Sequence, residues 1–380
     1  MLEGVRILDF SQALAGPYAT LVLADLGADV LKVESPGKGD DTRRWGPPFV
    51  NGESAYFLSV NRNKRSVALD LKTANGLQAA RDLARNCDVV LENFRPGTAT
   101  RLGIGPADLT ELDPRLIYCS ISGFGQDGGP QAGYDQIIQG GAGLMSITGM
   151  PEGVPIKLGV PIADIVSGMF AAHAVLAALY ERHQTAKGRV IDIAMQDAVV
   201  ALLTFQAGRY FATGMAPGRE GNHHPLIAPY GMFETADGFI NIGVGNDAQW
   251  KNFCSALRAP DLFDDSAFAT NSDRLAARSE LHAGIESILK QRSAQEWIDE
   301  FGAAGVPAGP IRSLGEVFQD PDLLRRDMKV DLDHPTAGKI SVTGAPWKFD
   351  GASSAIRHPP PLLGEHTAEV LIEVAGYGEQ

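Results

Sequence analysis

Between Val5 and Glu34 the chain alternates strand and helix with little between them. Val5-Arg-Ile-Leu-Asp-Phe10 is a short, mostly apolar run, and the small-residue turn Ser11-Gln-Ala-Leu-Ala-Gly-Pro17 follows it. A helix carrying Thr20, Leu21, Leu23, Ala24 and Leu26 stops at Gly27, and Ala28 to Glu34 is the next strand. Strand, turn, helix, strand is the unit of a doubly wound parallel sheet. The pattern then repeats: strand 66–71, amphipathic helix 73–86, and strands 87–94, 116–122 and 190–195. In open sheets of this kind, ligands sit beyond the carboxyl ends of the strands. Here those ends are 11–17, 34–41, 92–97 and 122–129, which together predict one crevice. Only Gly16 lies in the first turn, so the spaced-glycine fingerprint of a dinucleotide site is missing.

The grammar changes after a glycine-, proline- and histidine-rich break at 209–229. Tyr230 to Val244 reads as a hairpin about an Asp237-Gly238 turn, and helices follow at about 246–257, 272–290 and 293–304. A helix from Gln196 to about Thr213 precedes the break, and a last one ends near Ala375. The expected fold is α/β: a Rossmann-like large domain over 1–195 and 355–380, and a smaller α+β domain over 222–315. Segments 196–221 and 316–354 are expected as linkers. Two domains suit 380 residues. A net charge of −13 argues against nucleic acid as a partner. Cys87, Cys119 and Cys254 are odd in number and far apart, which predicts reduced core thiols and a cytoplasmic location. No signal pattern opens the chain, and the apolar run after Asp164 is expected as a core helix, not a membrane span.

That run begins in Gly159-Val-Pro-Ile-Ala-Asp-Ile-Val-Ser-Gly168. From the residues alone Asp164 is a helix cap or first-turn acid, since caps outnumber catalytic acids, or else a covalent nucleophile beside glycine-rich backbone. Asn61-Arg-Asn-Lys-Arg-Ser66 is the densest basic cluster, either a solvated turn or a phosphate anchor. Nine glycines between Gly123 and Gly149 are loop material, or backbone that lets a ligand approach closely.

Several stretches together resemble the class III CoA-transferases, the CaiB/BaiF family that includes formyl-CoA transferase and α-methylacyl-CoA racemase. They are Leu8-Asp-Phe with Ala15-Gly-Pro17, Asp25 to Glu34, Asn63-Lys-Arg-Ser66, Glu92-Asn-Phe-Arg-Pro-Gly97 and Arg101-Leu-Gly103. Gly133-Tyr-Asp135, the Asp164 stretch, Met195-Gln-Asp-Ala198, Gly305 to Pro310 and Leu363-Gly-Glu-His366 complete the pattern. The resemblance implies that Asp164 attacks an acyl-CoA thioester and passes through an anhydride and an aspartyl-CoA thioester. It also implies an interlocked homodimer. By motif position the CoA contacts fall on Ala13, Leu14, Ala15, Leu69, Asn93, Phe94, Arg101, Tyr134, Asp135 and Met195, with Lys72 and Arg101 for the phosphates. No tightly bound cofactor and no metal are expected; CoA and acyl-CoA enter as substrates, with a carboxylic acid as acceptor and no membrane partner.

Leu14 stands where formyl-CoA transferase has glutamine, Ser35 where it has arginine, and Gly221 to Tyr230 where it has a mobile glycine loop. The pattern instead resembles the dicarboxylate branch that uses succinyl-CoA, with Arg43, His223, His224 or Tyr230 (or Arg219) as candidate acceptor contacts. Racemisation is the alternative chemistry, but it needs a base opposite the aspartate. The matching position is Tyr134, with an ordinary pKa of about 10, and no histidine precedes Gly168. A non-catalytic acyl-CoA-binding protein is the alternative from another class.

Overall fold

The computed structural model describes residues 1–129 and 131–378. The chain forms two compact units: Met1–Met145, Lys157–Met215 and Pro321–Gln380 in the first, Ser146–Ile156 and Ala216–Asp320 in the second.

The first unit is built on β1 (Arg6–Asp9), β2 (Asp29–Glu34), β3 (Lys64–Ala68), β4 (Val89–Glu92), β5 (Ile117–Ser122) and β6 (Val190–Ala194). All neighbours are parallel and the order is β3-β2-β1-β4-β5-β6. Both faces of such a sheet are covered, so its strands are apolar on both sides. Ile7, Val30, Val89 and Ile117 face Ala19 and Leu23 of α1 (Ala15–Asp25) and Ala171 and Val175 of α4 (Ile162–Thr185). Leu8, Leu31, Val90 and Tyr118 face Ala80 and Leu83 of α2 (Ala74–Ala84) and Val370 of α11 (Thr367–Glu373). The strand order reverses between β1 and β4, the place where doubly wound sheets open a crevice.

Helix α4 is long and apolar enough to cross a membrane. It is a core helix: Ala163, Val166, Ala171, Val175 and Leu179 are buried in this unit. The expected helix over 196–213 is two, α5 (Met195–Leu202) and α6 (Thr204–Thr213), broken where Thr204 takes φ 36°. Segment 316–354 is more than a linker. It carries the antiparallel hairpin β10 (Lys329–His334) and β11 (Gly338–Thr343), which packs Ile340 and Val342 with Leu58.

In the second unit β7 (Tyr230–Glu234), β8 (Phe239–Gly243) and β9 (Ala308–Pro310) form an antiparallel sheet. It buries Phe233 and Ile240 against Trp250 and Phe253 of α7 (Asp247–Ala256) and Trp297 and Phe301 of α10 (Ala294–Ala303). The expected helix 272–290 is two, α8 (Asn271–Ala276) and α9 (Arg278–Leu289). Ser293 opens α10 with a capping box to Glu296, which satisfies end donors reciprocally.

The basic cluster at 61–66 belongs to the fold. Arg62 pairs with Asp25 at 2.5 Å, Lys64 with Asp9 at 3.4 Å and Arg65 with Asp29 at 2.6 Å. All three cations are buried, so the cluster is neither a solvated turn nor a free phosphate anchor. Strand β3 accordingly starts at Lys64, two residues before the apolar pattern begins.

Candidate active site

Two helix N-termini meet at Asp164. Residue 164 lies in the first turn of α4, and α1 begins at Ala15, whose N–H has no partner inside its own helix. That N–H lies near the Asp164 carboxylate and favours its ionised form. The approach depends on Gly168, one turn further along α4: a Cβ there would lie 2.6 Å from the Ala15 carbonyl oxygen. Small residues at Ala15, Ala19, Gly168 and Ala172 let the two helices cross closely.

Burial, and then the neighbouring Asp135 carboxylate, push the Asp164 carboxyl up to about 7, against the pull of the Ala15 N–H. Desolvation and like charge both penalise the ionised form, so the group is poised near neutrality instead of being fully charged. Asp135 opens α3 (Asp135–Gly141) and is held in place: it accepts from Ala163 N at 2.9 Å and from Gln139 Nε2 at 2.8 Å.

Asp164 lines a cavity of about 330 Å³ together with Gln12, Ala13, Ala15, Asn93, Phe94, Tyr134 and Met195. Ligand pockets begin at about this size. Asn93 fixes the floor: its side chain accepts from Gln12 N and donates to Gln12 O, both at 2.8 Å. A second cavity of about 180 Å³ is lined by Leu69, Lys72 and Leu102 and shares Gln12 and Phe94 with the first.

Most predicted CoA positions therefore divide between these cavities. Ala13, Ala15, Asn93, Phe94, Tyr134 and Met195 stand around Asp164, while Leu69 and Lys72 stand around the second cavity. Three do not line either. Leu14 points into an apolar cluster with Leu21 and Val60 behind the turn. Asp135 holds α4 from behind, and Arg101 donates to Thr98 Oγ1 at 2.7 Å on the exposed side of its short helix.

The acceptor candidates fare differently. Arg43 spends both Nε and Nη2 on Glu34 at 2.7 Å and lies 3.7 Å over the Phe57 ring. Arg219 donates to the carbonyls of Met150, Pro151 and Gly153. His223, His224 and Tyr230 gather in the second unit: His223 stands edge-on to His282 at 4.8 Å, and His224 stacks on Tyr230 at 5.1 Å. Burial, followed by His282 and Arg278, holds the His223 imidazole below its ordinary pKa.

Of the other lining residues, Gln12, Asp41 and Ser122 fall in strand-end segments expected to form the crevice but are not singled out there, and Trp45 carries no sequence signal. Ser122 is buried, and its hydroxyl has no partner among the described residues. A signal did exist for the residues beneath the turn. Lys32 interrupts an apolar strand and is fully buried, which requires a partner.

A parallel sheet with its crevice at the strand reversal, and a half-buried carboxylate lining that crevice, define the class: an α/β protein with an acid-lined ligand cavity. The match to CoA-transferase family III spans residues 2–367, and the chain belongs to that family. It is an enzyme that transfers CoA between acyl-CoA and carboxylic acids. It is 44% identical over 380 residues to a succinyl-CoA:glutarate CoA-transferase of Mus musculus, covering 100% of this chain and 87% of that one. A succinate–glutarate CoA-transferase of Agrobacterium fabrum is 42% identical, with 98% and 95% covered. Among solved structures, a CAIB/BAIF family protein from Brucella suis superposes with a TM-score of 0.88 at 42% identity, over 98% of this chain and 99% of that one.

Proposed function

We propose that the enzyme carries CoA from succinyl-CoA to a dicarboxylic acid of about the length of glutarate, with Asp164 as the covalent nucleophile. The observation that carries this is the carboxylate itself: a half-buried acid poised near 7, at two helix N-termini, on the wall of a cavity. The relatives named as succinyl-CoA:glutarate and succinate–glutarate CoA-transferases support the choice of donor and acceptor.

The steps balance without an added acid or base. An Asp164 oxygen attacks the thioester carbonyl; the C–S bond breaks, leaving CoA thiolate and a mixed anhydride. The thiolate then attacks the Asp164 carbonyl, expels the donor carboxylate and leaves an aspartyl-CoA thioester. The acceptor carboxylate attacks that thioester and releases thiolate, which takes the acceptor acyl group and restores Asp164. The two attacks on the Asp164 carbonyl place negative charge on an Asp164 oxygen, and the Ala15 N–H beside it meets that charge. The nucleoside end of CoA belongs beside Lys72, with the pantetheine arm passing Phe94 to reach Asp164. Racemisation needs a base opposite Asp164, and no histidine is among the described lining residues.

A second copy of the chain fits the surface that helices α4 and α6 leave open. Tyr180 is 71% and Phe211 80% exposed, with Met169, Phe170, Phe205 and Tyr210 exposed beside them. Apolar faces of that extent belong under a partner, and light scattering is expected to give about twice the 40.4 kDa of one chain.

The chemistry is tested by incubation with succinyl-CoA and hydroxylamine, followed by peptide mass spectrometry. A hydroxamate on Asp164 is expected, and Asp164→Ala is expected to fold yet lose transfer. Unchanged turnover in that variant rejects the assignment. A panel of dicarboxylic acceptors then ranks the acceptor, with C5 acids expected ahead of oxalate.

A further inference from the structure

Two lysines are fully buried in the sheet directly beneath the Ser11–Pro17 turn. Lys32 Nζ donates to Asp40 Oδ2 and to the Ser11 carbonyl, both at 2.8 Å. Lys64 Nζ donates to the Pro17 carbonyl at 2.9 Å, to Asn61 Oδ1 at 3.0 Å and to Asp9 Oδ2 at 3.4 Å. The carboxylates reach the turn as well. Asp40 Oδ1 accepts from Ala13 N at 3.2 Å, and Asp9 Oδ1 accepts from Ser11 N at 2.9 Å. Ionised groups with no exposure to solvent thus hold both ends and the middle of a seven-residue turn.

Stability alone does not account for this arrangement. Burying an ion pair costs desolvation that its attraction only repays with good geometry, and apolar side chains of similar volume commonly serve as well. What apolar side chains cannot supply is direction. The turn needs it, because Ala13 is held at φ 63°, a left-handed conformation that an alanine leaves when released. Two residues further on, Ala15 lines the same cavity as Asp164 and packs against Gly168, one turn along the Asp164 helix, with its N–H favouring the Asp164 carboxylate.

We propose that Lys32 and Asp40 are positioning residues for CoA transfer: through Ser11 and Ala13 they fix the turn so that the Ala15 N–H meets the oxyanion formed on the Asp164 carboxyl. In the step concerned, the thiolate sulfur attacks the aspartyl carbonyl of the anhydride. The carbonyl electron pair moves to its oxygen, where the Ala15 N–H receives the charge, and collapse expels the donor carboxylate. The inference rests on Asp164 being the nucleophile.

The test replaces direction while keeping volume, in the double variant Lys32→Met with Asp40→Leu. It is expected to melt within a few degrees of the parent, to keep KM for succinyl-CoA within about threefold, and to lose about a hundredfold in kcat, the range measured for loss of one oxyanion donor. Asp40→Asn, nearly isosteric, is the second variant should the first not fold, with a loss of about tenfold in kcat expected. Trapping with hydroxylamine separates the two levels of the argument. If the parent gives no Asp164 hydroxamate, the nucleophile assignment fails whatever the variants do. If the parent gives it and a folded variant forms it at the same rate, or loses activity through KM alone, the positioning role is overturned.

Discussion

Gly168 and Ala15 touch where no side chain has room: a Cβ on Gly168 would lie 2.6 Å from the Ala15 carbonyl oxygen and 3.2 Å from Ala19 N. The obstacle is backbone and cannot swing aside, so Gly168→Ala must push α1 away from α4. The cost of such overpacking is about 1–3 kcal/mol, but the larger effect falls on chemistry, because the Ala15 N–H moves with α1. Denaturant unfolding is expected to show the modest loss, and steady-state kinetics a fall in kcat of at least about tenfold.

Asp164 makes stability depend on pH in a direction opposite to most carboxylates. Its folded pKa is raised from 3.8 to about 7, so the folded state holds the proton more tightly than the unfolded one. The stability this gives is complete below about 4 and is lost as pH rises through 7. Asp164→Asn keeps the shape and never ionises. Its melting temperature is expected to match the parent near pH 4 and to exceed it at pH 8 by about 2–4 °C or more, corresponding to roughly 1 kcal/mol. Equal melting curves at pH 8 would show that the carboxylate carries no burden.

On the proposed mechanism the same residue is expected to set the acid limb of activity, since only the carboxylate attacks. With Asp135 as its second perturber, Asp135→Asn removes a like charge and makes ionisation of Asp164 easier. The midpoint of the kcat/KM profile, expected near 7 in the parent, is expected to move to lower pH in the variant. A midpoint that stays or rises would separate the acid limb from Asp164.

Much of this was legible in the chain and some was not, for physical reasons. The alternation of strand and helix up to Ser122 shows because a sheet covered on both faces needs apolar strands, and Ile7, Leu8, Val30 and Leu31 supply them. Asp164 stands alone at the head of an apolar helix, but that pattern fits a helix cap as well as a nucleophile, and only the family resemblance singles it out. The role of Arg62, Lys64 and Arg65 does not show, because their partners Asp25, Asp9 and Asp29 lie 36 to 55 residues away and meet them only in the fold. Hairpin β10–β11 buries only one face, and the alternation Lys-Val-Asp-Leu-Asp-His is easily read as linker.

Arg43 brings these strands together. As a sequence it was a candidate for the acceptor's carboxylate; in the fold its guanidinium is bidentate on Glu34, a buried carboxylate that also accepts from Asp40 N and Ser66 Oγ. Arg43, with Lys32 beside it, holds the Glu34 carboxyl below its ordinary pKa against the cost of burial. Removing one partner of such a pair leaves an uncompensated charge in low dielectric, at a cost of about 3–5 kcal/mol. Arg43→Gln is therefore expected to lower stability by that order in urea titration, with the loss largest near neutral pH and smaller once Glu34 is protonated. An acceptor contact predicts the reverse: unchanged unfolding and a KM for the dicarboxylic acid raised tenfold or more. Measuring both quantities on one variant decides between a structural strut and a substrate clamp.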